Sequence, residues 1–355
     1  MSDLHTGILG KAADTVSPRN ILFIGGTGVI STSAAERAVA LGHRLTILNR
    51  GRSAGRPVPD GAEVLHADIR EPAAVREVLG GREFDAVADF ISYTPDQART
   101  AMELFRGRTG QYVFISSASA YQKPPTTLPI RESTPLKNPF WQYSRDKIAC
   151  EELLWEAYRE QDFPVTVVRP SHTYDRTKIA MVGGWTDIHR MRAGLPVLVH
   201  GDGTSLWTLT HSRDFAKAFV GLLGRPQAIG ESYTITSDEV LPWNQIYGLF
   251  ARAAGVAEPE LFHVSSETIA AHSAELGPNL LGDRSHSVVF DNSKIKALVP
   301  DFTATIPFAD GAREIVEWHD RHPELQVVKD DYMELTDQLY DWSRRTLLPS
   351  TTSAA

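Results

Sequence analysis

Two residues four apart, Tyr143 and Lys147, stand in the stretch Tyr143-Ser-Arg-Asp-Lys147. The residues from Phe140 onward, with Ala149, Leu153, Leu154 and Ala157 apolar, follow a helical period, so both side chains share one face. A phenol with an ordinary pKa of about 10 is a poor base at neutral pH. A neighbouring ammonium stabilises the phenolate and lowers that pKa, giving a usable acid/base. Ser117 closes an apolar run, Gln111 to Ile115, at the start of Ser116-Ser117-Ala118-Ser119-Ala120-Tyr121, where its hydroxyl can hydrogen-bond a reacting oxygen. A Tyr–Lys pair alone is common on helices. Its chemistry depends on what stands upstream.

Upstream is Asn20-Ile-Leu-Phe-Ile-Gly-Gly-Thr-Gly-Val-Ile-Ser31. Ile21 to Ile24 read as a buried strand that stops at a glycine turn. From Val29 the apolar positions Ile30, Ala34, Ala35, Ala38, Val39 and Leu41 take up a helical period. Gly25 permits a tight turn, and Gly28 lets backbone approach a pyrophosphate seated on the helix N-terminus. Ser31 occupies the usual place of a third glycine. Glycines in such a turn can serve chain reversal alone, but strand, turn and helix together are the context of a dinucleotide fingerprint.

The elements that must position these groups follow in order. Leu45 to Leu48 is a second strand ending in Asn49-Arg50-Gly51-Arg52, at the position that reads an adenosine ribose. An acid there suits NAD, whereas arginines accommodate a 2′-phosphate; with Arg50 and Arg52 and no acid, NADP is the expected cofactor ahead of NAD. Glu63 to Ala67 is a third strand, closed by Asp68, which can cap the next helix or bind an adenine amine. Asp85 to Ile91 is a fourth strand. Asp89 inside it must find partners or face a cleft. A helix runs from Pro95 to Phe105, and Val165 to Val168 is the sixth strand, ending in Arg169-Pro170-Ser171-His172. Such alternation implies α/β architecture: a Rossmann-type doubly wound parallel sheet. Beyond Tyr174 the alternation loosens into short strands, among them Leu206 to Thr210, Ser232 to Thr236 and Val288 to Phe290, and helices. These predict a smaller mixed α/β substrate domain over the strand ends. The expected division is a flexible tail at 1–19, a dinucleotide-binding domain at 20–174, a mainly substrate-binding domain at 175–325, and a C-terminal helix and tail at 326–355.

Composition narrows the function classes. At 355 residues, 42% hydrophobic and 23% charged, the chain has an ordinary globular make-up. A net charge of -8 gives no electrostatic reason to expect nucleic acid or an anionic membrane. The one cysteine, Cys150, excludes an internal disulfide and suits a reducing compartment, so a cytoplasmic location is expected. No stretch approaches a membrane-spanning length of apolar residues. His189, His200 and His211 lack ligand spacing, and no metal is expected.

Taken together, Gly25-Gly-Thr-Gly28, Asp68, the Ser116–Tyr121 segment, Tyr143-xxx-Lys147 and Arg169-Pro170 resemble the extended short-chain dehydrogenase/reductase superfamily, in its NAD(P)-dependent epimerase/dehydratase branch. Gly201-Asp-Gly203, Thr210-His211-Ser-Arg-Asp214 and Phe290-Asp291-Asn-Ser-Lys294 extend the resemblance over about residues 20–320. Val29-Ile30-Ser31, Asn49-Arg50-Gly51 and Asp89 resemble an atypical offshoot that includes chloroplast stem-loop-binding proteins. The resemblance implies hydride transfer at a carbinol or carbonyl carbon, by an oxidoreductase or epimerase. Tyr143 would be the acid/base, Lys147 would hold the nicotinamide ribose, and Ser117 would orient substrate. Cofactor contacts would come from Gly25, Thr27, Gly28, Val29 and Ile30 at the first turn. Asn49, Arg50, Arg52, Asp68, Ile69, Asp89 and Pro170 would supply the rest.

The departures matter as much. Superfamily 4,6-dehydratases carry Asp-Glu after the catalytic Ser/Thr, and related decarboxylases a Glu; Ala118-Ser119 argues against both chemistries. Nucleotide-sugar epimerases place an arginine for the diphosphate where Trp207 stands, so an uncharged glycoside or sugar-like carbinol becomes credible. Tyr93, His172, Trp185 and Trp207 are the remaining substrate-facing candidates, with core packing the alternative for each. The expected partner is a small, carbohydrate-like molecule, with a homodimer left open. A non-catalytic dinucleotide sensor or RNA-binding relative is the competing reading.

Overall fold

Both faces of the first strand, β1 (Asn20–Ile24), are covered, and its side chains alternate between two cores. Ile21 and Phe23 join one apolar cluster, and Leu22 and Ile24 the other. That period of two is what a strand in the middle of a layered sheet imposes. The computed structural model describes residues 17–51 and 56–347. Residues 1–16 of the expected N-terminal tail, Arg52, and the expected tail at 348–355 lie outside the described residues.

From β1 the chain alternates through α1 (Val29–Ala40), β2 (Arg44–Asn49), β3 (Glu63–His66), α2 (Pro72–Leu79), β4 (Ala86–Asp89), α3 (Pro95–Phe105), β5 (Tyr112–Ile115), α4 (Gln142–Gln161) and β6 (Val165–Pro170). Then come β7 (His172–Tyr174), α5 (Trp185–Arg192), β8 (Val197–His200), β9 (Leu206–Trp207), β10 (Leu209–His211), α6 (Ser212–Leu222) and β11 (Glu231–Ile235). The last part holds β12 (Leu241–Pro242), α7 (Trp243–Ala253), β13 (Leu261–Val264), α8 (Ser266–His272), α9 (Gly277–Asn279), α10 (Ser293–Leu298), α11 (Phe308–Arg321) and α12 (Asp330–Leu347).

Seven strands form one sheet in the order β11-β6-β5-β4-β1-β2-β3, with every pairing parallel. The fold is a Rossmann-type α/β sheet. One face packs against α1 and α6, the other against α2, α3 and α4. β11 leaves the later elements to pair with β6 at the sheet edge. A third core, around Trp207, Trp243, Tyr247 and Phe308, joins α5, α7 and α11 beside the strand ends.

The structure departs from the sequence reading at a few places. Val288 to Phe290 is no strand. Ile130 and Phe290 form a lone bridge, whereas the Val288 amide donates to the Leu206 carbonyl at 2.8 Å, so the two ends of the segment pair with different parts of the chain. The strand expected over Leu206 to Thr210 is broken at Thr208, whose hydroxyl turns to the Val288 carbonyl. Asp68 does not cap α2. Glu71 stands at that cap and Pro72 opens the helix, while Asp68 accepts from the Arg70 amide and guanidinium.

One buried ion pair fixes the register of α4 on the sheet. Glu151, on α4, accepts from Arg169 of β6 at 2.9 and 2.5 Å and from the Ser116 hydroxyl at 2.5 Å. Both partners are buried. Removing one partner strands the other charge, which costs about 3–5 kcal/mol, whereas an apolar replacement of both can be near neutral. Glu151→Gln is therefore expected to lower stability by about 3–5 kcal/mol in denaturant unfolding, and Glu151→Met with Arg169→Met by less. A double variant as unstable as the single one would refute this account of the pair.

Candidate active site

The carboxyl ends of the parallel strands open into a cleft of about 750 Å3. It lies where the strand order runs away from β1 in both directions, to β4 on one side and β2 on the other, the usual ligand position in an open α/β sheet. Gly25 stands at φ 86°, and a Cβ there would collide with the Ile91 side chain. The Ser31 hydroxyl accepts from the Gly28 amide at 2.7 Å and donates to the Gly25 carbonyl at 2.9 Å. The residue that departs from the glycine fingerprint thus ties the turn shut. Thr27, Gly28, Val29 and Ile30 line the cleft at the start of α1, where a helix leaves its first amides without intrahelical partners. That chemistry fits a dinucleotide pyrophosphate.

The end of the cleft where an adenosine is expected is lined by Asn49 at the end of β2, Arg50 and Gly51 after it, and Asp68 and Ile69 after β3. The Asn49 carboxamide oxygen accepts from the Gly51 amide at 2.8 Å and holds that loop. Asp68 is lowered to about 2, chiefly by its hydrogen bonds from Arg70.

Asp89 corrects an expectation. It is fully buried, is not among the cleft-lining residues, and accepts from the Ile91 and Ser92 amides and from the Ser92 and Tyr112 hydroxyls at 2.6–3.0 Å. Its carboxylate holds the turn after β4 and has no free edge for a cofactor.

Tyr143, Lys147 and Ser117 all line the cleft, with Ser117 hydrogen-bonded to Tyr143. Lys147 is buried, and its ammonium donates to the Ser92 and Ile115 carbonyls, each at 2.7 Å. It lies 4.7 Å from the Tyr93 and Phe114 ring centres and 6.0 Å from that of Tyr143. Burial lowers Lys147 to about 8 against the opposing pull of Asp89. Burial likewise pushes Tyr143 up to about 12, a hydrogen bond with Ser117 working the other way and Tyr93 and Asp283 adding to the rise. Lys147 is not among the groups that set this value. The sequence reading expected the lysine to lower the phenol; here both its hydrogen bonds go to backbone carbonyls and desolvation prevails. Ser117 also contacts the Ser119 hydroxyl at 2.9 Å, which in turn accepts from Ser144 at 2.8 Å.

The remaining candidates divide. Tyr93, 48% exposed, lines the cleft 6.3 Å from the Tyr143 ring. His172 and Pro170 line it too. The His172 Nε2 is buried without a hydrogen-bond partner, and burial, then Arg284 and Lys178, holds the ring well below its ordinary pKa, hence neutral. Trp185 and Trp207 do not line the cleft. Both are buried away from the cleft lining, Trp207 against Trp243 at 5.2 Å and Trp185 stacked on His319 at 5.2 Å. Their large apolar rings fill the third core. The sequence reading missed Trp141, Lys178, Asn279, Asp283, Arg284 and Phe290, which also line the cleft. Trp141, 4.8 Å from Tyr143, stands only two residues before that motif in the chain. The turn at 279–284 carries no periodic signal.

A model of the NAD dependent epimerase/dehydratase family matches residues 21–236. The chain is 27% identical over 258 residues to a 2′-dehydrokanamycin reductase of Streptomyces kanamyceticus, a match covering 71% of each chain. It is 28% identical over 259 residues to the chloroplast stem-loop binding protein of 41 kDa b of Arabidopsis thaliana, covering 70% of this chain and 66% of that one. Among solved structures it resembles a dTDP-glucose 4,6-dehydratase of Bacillus anthracis in complex with NAD, with TM-score 0.69 and 18% identity over 86% of this chain and 97% of that chain. That likeness speaks to the fold.

The Tyr143 environment generates a direct test on the cofactor-free protein. A phenol raised to about 12 stays protonated through the ordinary range. Alkaline ultraviolet titration of wild type and Tyr143→Phe should therefore give equal phenolate absorbance per molecule up to pH of about 10. An extra ionisation in wild type below that pH would show that the phenol is already activated.

Proposed function

The chain belongs to the NAD dependent epimerase/dehydratase family, and from that premise we propose that it moves a hydride between a nicotinamide cofactor and a carbinol or carbonyl carbon of a sugar, glycoside or sugar-like molecule. The observation that carries this reading is the convergence of Tyr143, Lys147 and Ser117 on one point of the dinucleotide cleft. When bound, the cofactor supplies the hydride acceptor or donor. Tyr143 gives its proton to the oxygen of a carbonyl being reduced, or takes one from a carbinol being oxidised. The Ser117 hydroxyl orients that oxygen, and Lys147, fixed by two backbone carbonyls, presents positive charge beside the phenol and a ribose. Elimination of the 4,6-dehydratase kind is not part of this reading: Ala118 is apolar and Ser119 is held by Ser117 and Ser144.

The family and the reductase relative make the substrate small and sugar-related in this reading, and a homodimer remains compatible with it. The stem-loop-binding relative raises the alternative of nucleic acid. A net charge of -8 weighs against it, because phosphate neutralisation dominates such binding.

Two outcomes test the proposal. Proton transfer by a positioned group contributes roughly 10²–10⁴-fold, so Tyr143→Phe should lose most turnover while still binding cofactor. Lys147 loses its charge as pH rises through about 8, so the reduction rate should hold through neutral pH and fall above that value. Lys147→Arg, charged throughout, should lose that alkaline limb. Wild-type turnover in Tyr143→Phe, measured beside a cofactor titration, would reject hydride transfer through this residue.

A third outcome concerns the cofactor phosphate. Arg50 lines the cleft, and the loop bears no acid at that position. A charge-assisted contact to a 2′-phosphate contributes about 1.5–3 kcal/mol. Calorimetry should show NADP bound more tightly than NAD, and Arg50→Ala should weaken NADP about ten- to hundredfold while sparing NAD. Tighter binding of NAD than NADP in wild type, or an unchanged NADP affinity in Arg50→Ala, would reject this reading.

A further inference from the structure

Lys123 is an unusual residue to find in a protein interior: its side chain is 0% exposed. Its Nζ makes no hydrogen bond among the described residues and has one charged neighbour, Asp283 Oδ1 at 3.2 Å. An ammonium is costly to bury, so this pairing holds Asp283 firmly in place. Asp283 itself is 20% exposed and lines the cleft, close enough to Tyr143 for its charge to bear on the phenol. No hydrogen bond occupies its second oxygen, Oδ2, among the described residues.

The backbone carrying Asp283 is built for position. Leu280–Arg284 is a single turn of π-helix, a rare geometry that is frequent at functional sites. The buried Asn138 carboxamide donates to the Gly282 carbonyl at 2.7 Å and to the Ser119 carbonyl at 2.9 Å, tying this turn to the Ser117–Ser119 segment. Gly282 packs so closely that a Cβ would stand 2.8 Å from the Trp141 Cβ. The turn is thereby clamped against the wall that carries Tyr143.

The charge at this end limits what Asp283 can accept. Its carboxylate is already balanced by Lys123, while Lys178 and Arg284 line the same end and His172 is held neutral. An ammonium group would enter a positive surrounding. A hydroxyl would find an acceptor in Asp283 and a donor in Lys178, the Arg284 guanidinium being engaged by the Ala180 carbonyl at 2.8 Å.

We propose that Asp283, fixed by the buried Lys123, is a specificity-determining residue whose Oδ2 accepts a hydroxyl of a neutral, polyhydroxylated ring beside the carbon that reacts at Tyr143. This inference rests on the hydride-transfer reading above. It separates the chain's substrate from amino sugars.

The test uses the cofactor-loaded full chain and neutral methyl pyranosides of gluco, galacto and manno configuration, with their amino-deoxy counterparts. Thermal shift and nicotinamide absorbance report binding and turnover. At least one neutral pyranoside should bind and react, its amino counterpart more weakly. Asp283→Asn should raise KM for that pyranoside roughly tenfold or more, with cofactor affinity unchanged. Because Asp283→Asn leaves Lys123 buried without its partner, Lys123→Met with Asp283→Ala serves as the second variant, and the same rise in KM is expected. Preference for the amino counterparts, an unchanged KM in both variants, or no binding of any neutral pyranoside would overturn the proposal. Failure of the underlying reading looks different: Tyr143→Phe would then turn over the same pyranoside as fast as wild type.

Discussion

A single carboxylate holds the groups that meet at the cleft in register. Glu151 lies one helical turn beyond Lys147 on α4, and its two oxygens are claimed by Arg169 at the end of β6 and Ser116 at the end of β5. Arg169 in turn reaches the Tyr121 hydroxyl at 3.1 Å, and that hydroxyl meets Thr234 of β11 at 2.6 Å. This buried network ties the helix bearing Tyr143 to the strand ends that bear Ser117 and Pro170. A helix packed by apolar contacts alone could slide or rotate at modest cost. A buried pair whose partners must both be met cannot.

The same logic of committed polar groups recurs around the cleft. Asp89 spends its carboxylate on the turn after β4, Asn49 on the loop after β2, and Ser31 on the glycine turn itself. Each would pass for a ligand contact by type and place. Each instead fixes backbone, leaving the amides at the start of α1 and the Arg50 side chain to face the cleft. The division of labour is between side chains that build the turns and backbone that is left to line the cleft.

The sheet was legible because its signals are local. A strand buried on both faces is a short apolar run, and the Tyr143–Lys147 spacing names one helix face. Pro95 opened a helix and Gly25 sat at positive φ, as their residue types require. The substrate end was not legible for an equally physical reason. Lys123, Asn138, Asp283 and Arg284 are brought together by loops and one π-turn, with no period to read and more than a hundred residues between the first and last of them. Trp207 shows the converse. Sequence position suggested a ligand wall, but an indole gains more by filling a core than by facing water, and Trp243 and His172 lie against it.

The protonation states of the site also carry a direction. Burial raises Tyr143 and lowers Lys147, so at neutral pH the phenol keeps its proton and the amine keeps its charge. A protonated phenol beside a fixed cation is poised to give a proton to a developing alkoxide. Taking a proton from a carbinol would first require ionising a phenol that desolvation disfavours. Within the proposed chemistry, the protein alone therefore favours carbonyl reduction. The oxidative direction needs further positive charge beside Tyr143 than Lys147 supplies from its present distance, and an oxidised nicotinamide is itself such a charge. The balance between the two directions then rests on which redox form of the cofactor lies next to the tyrosine.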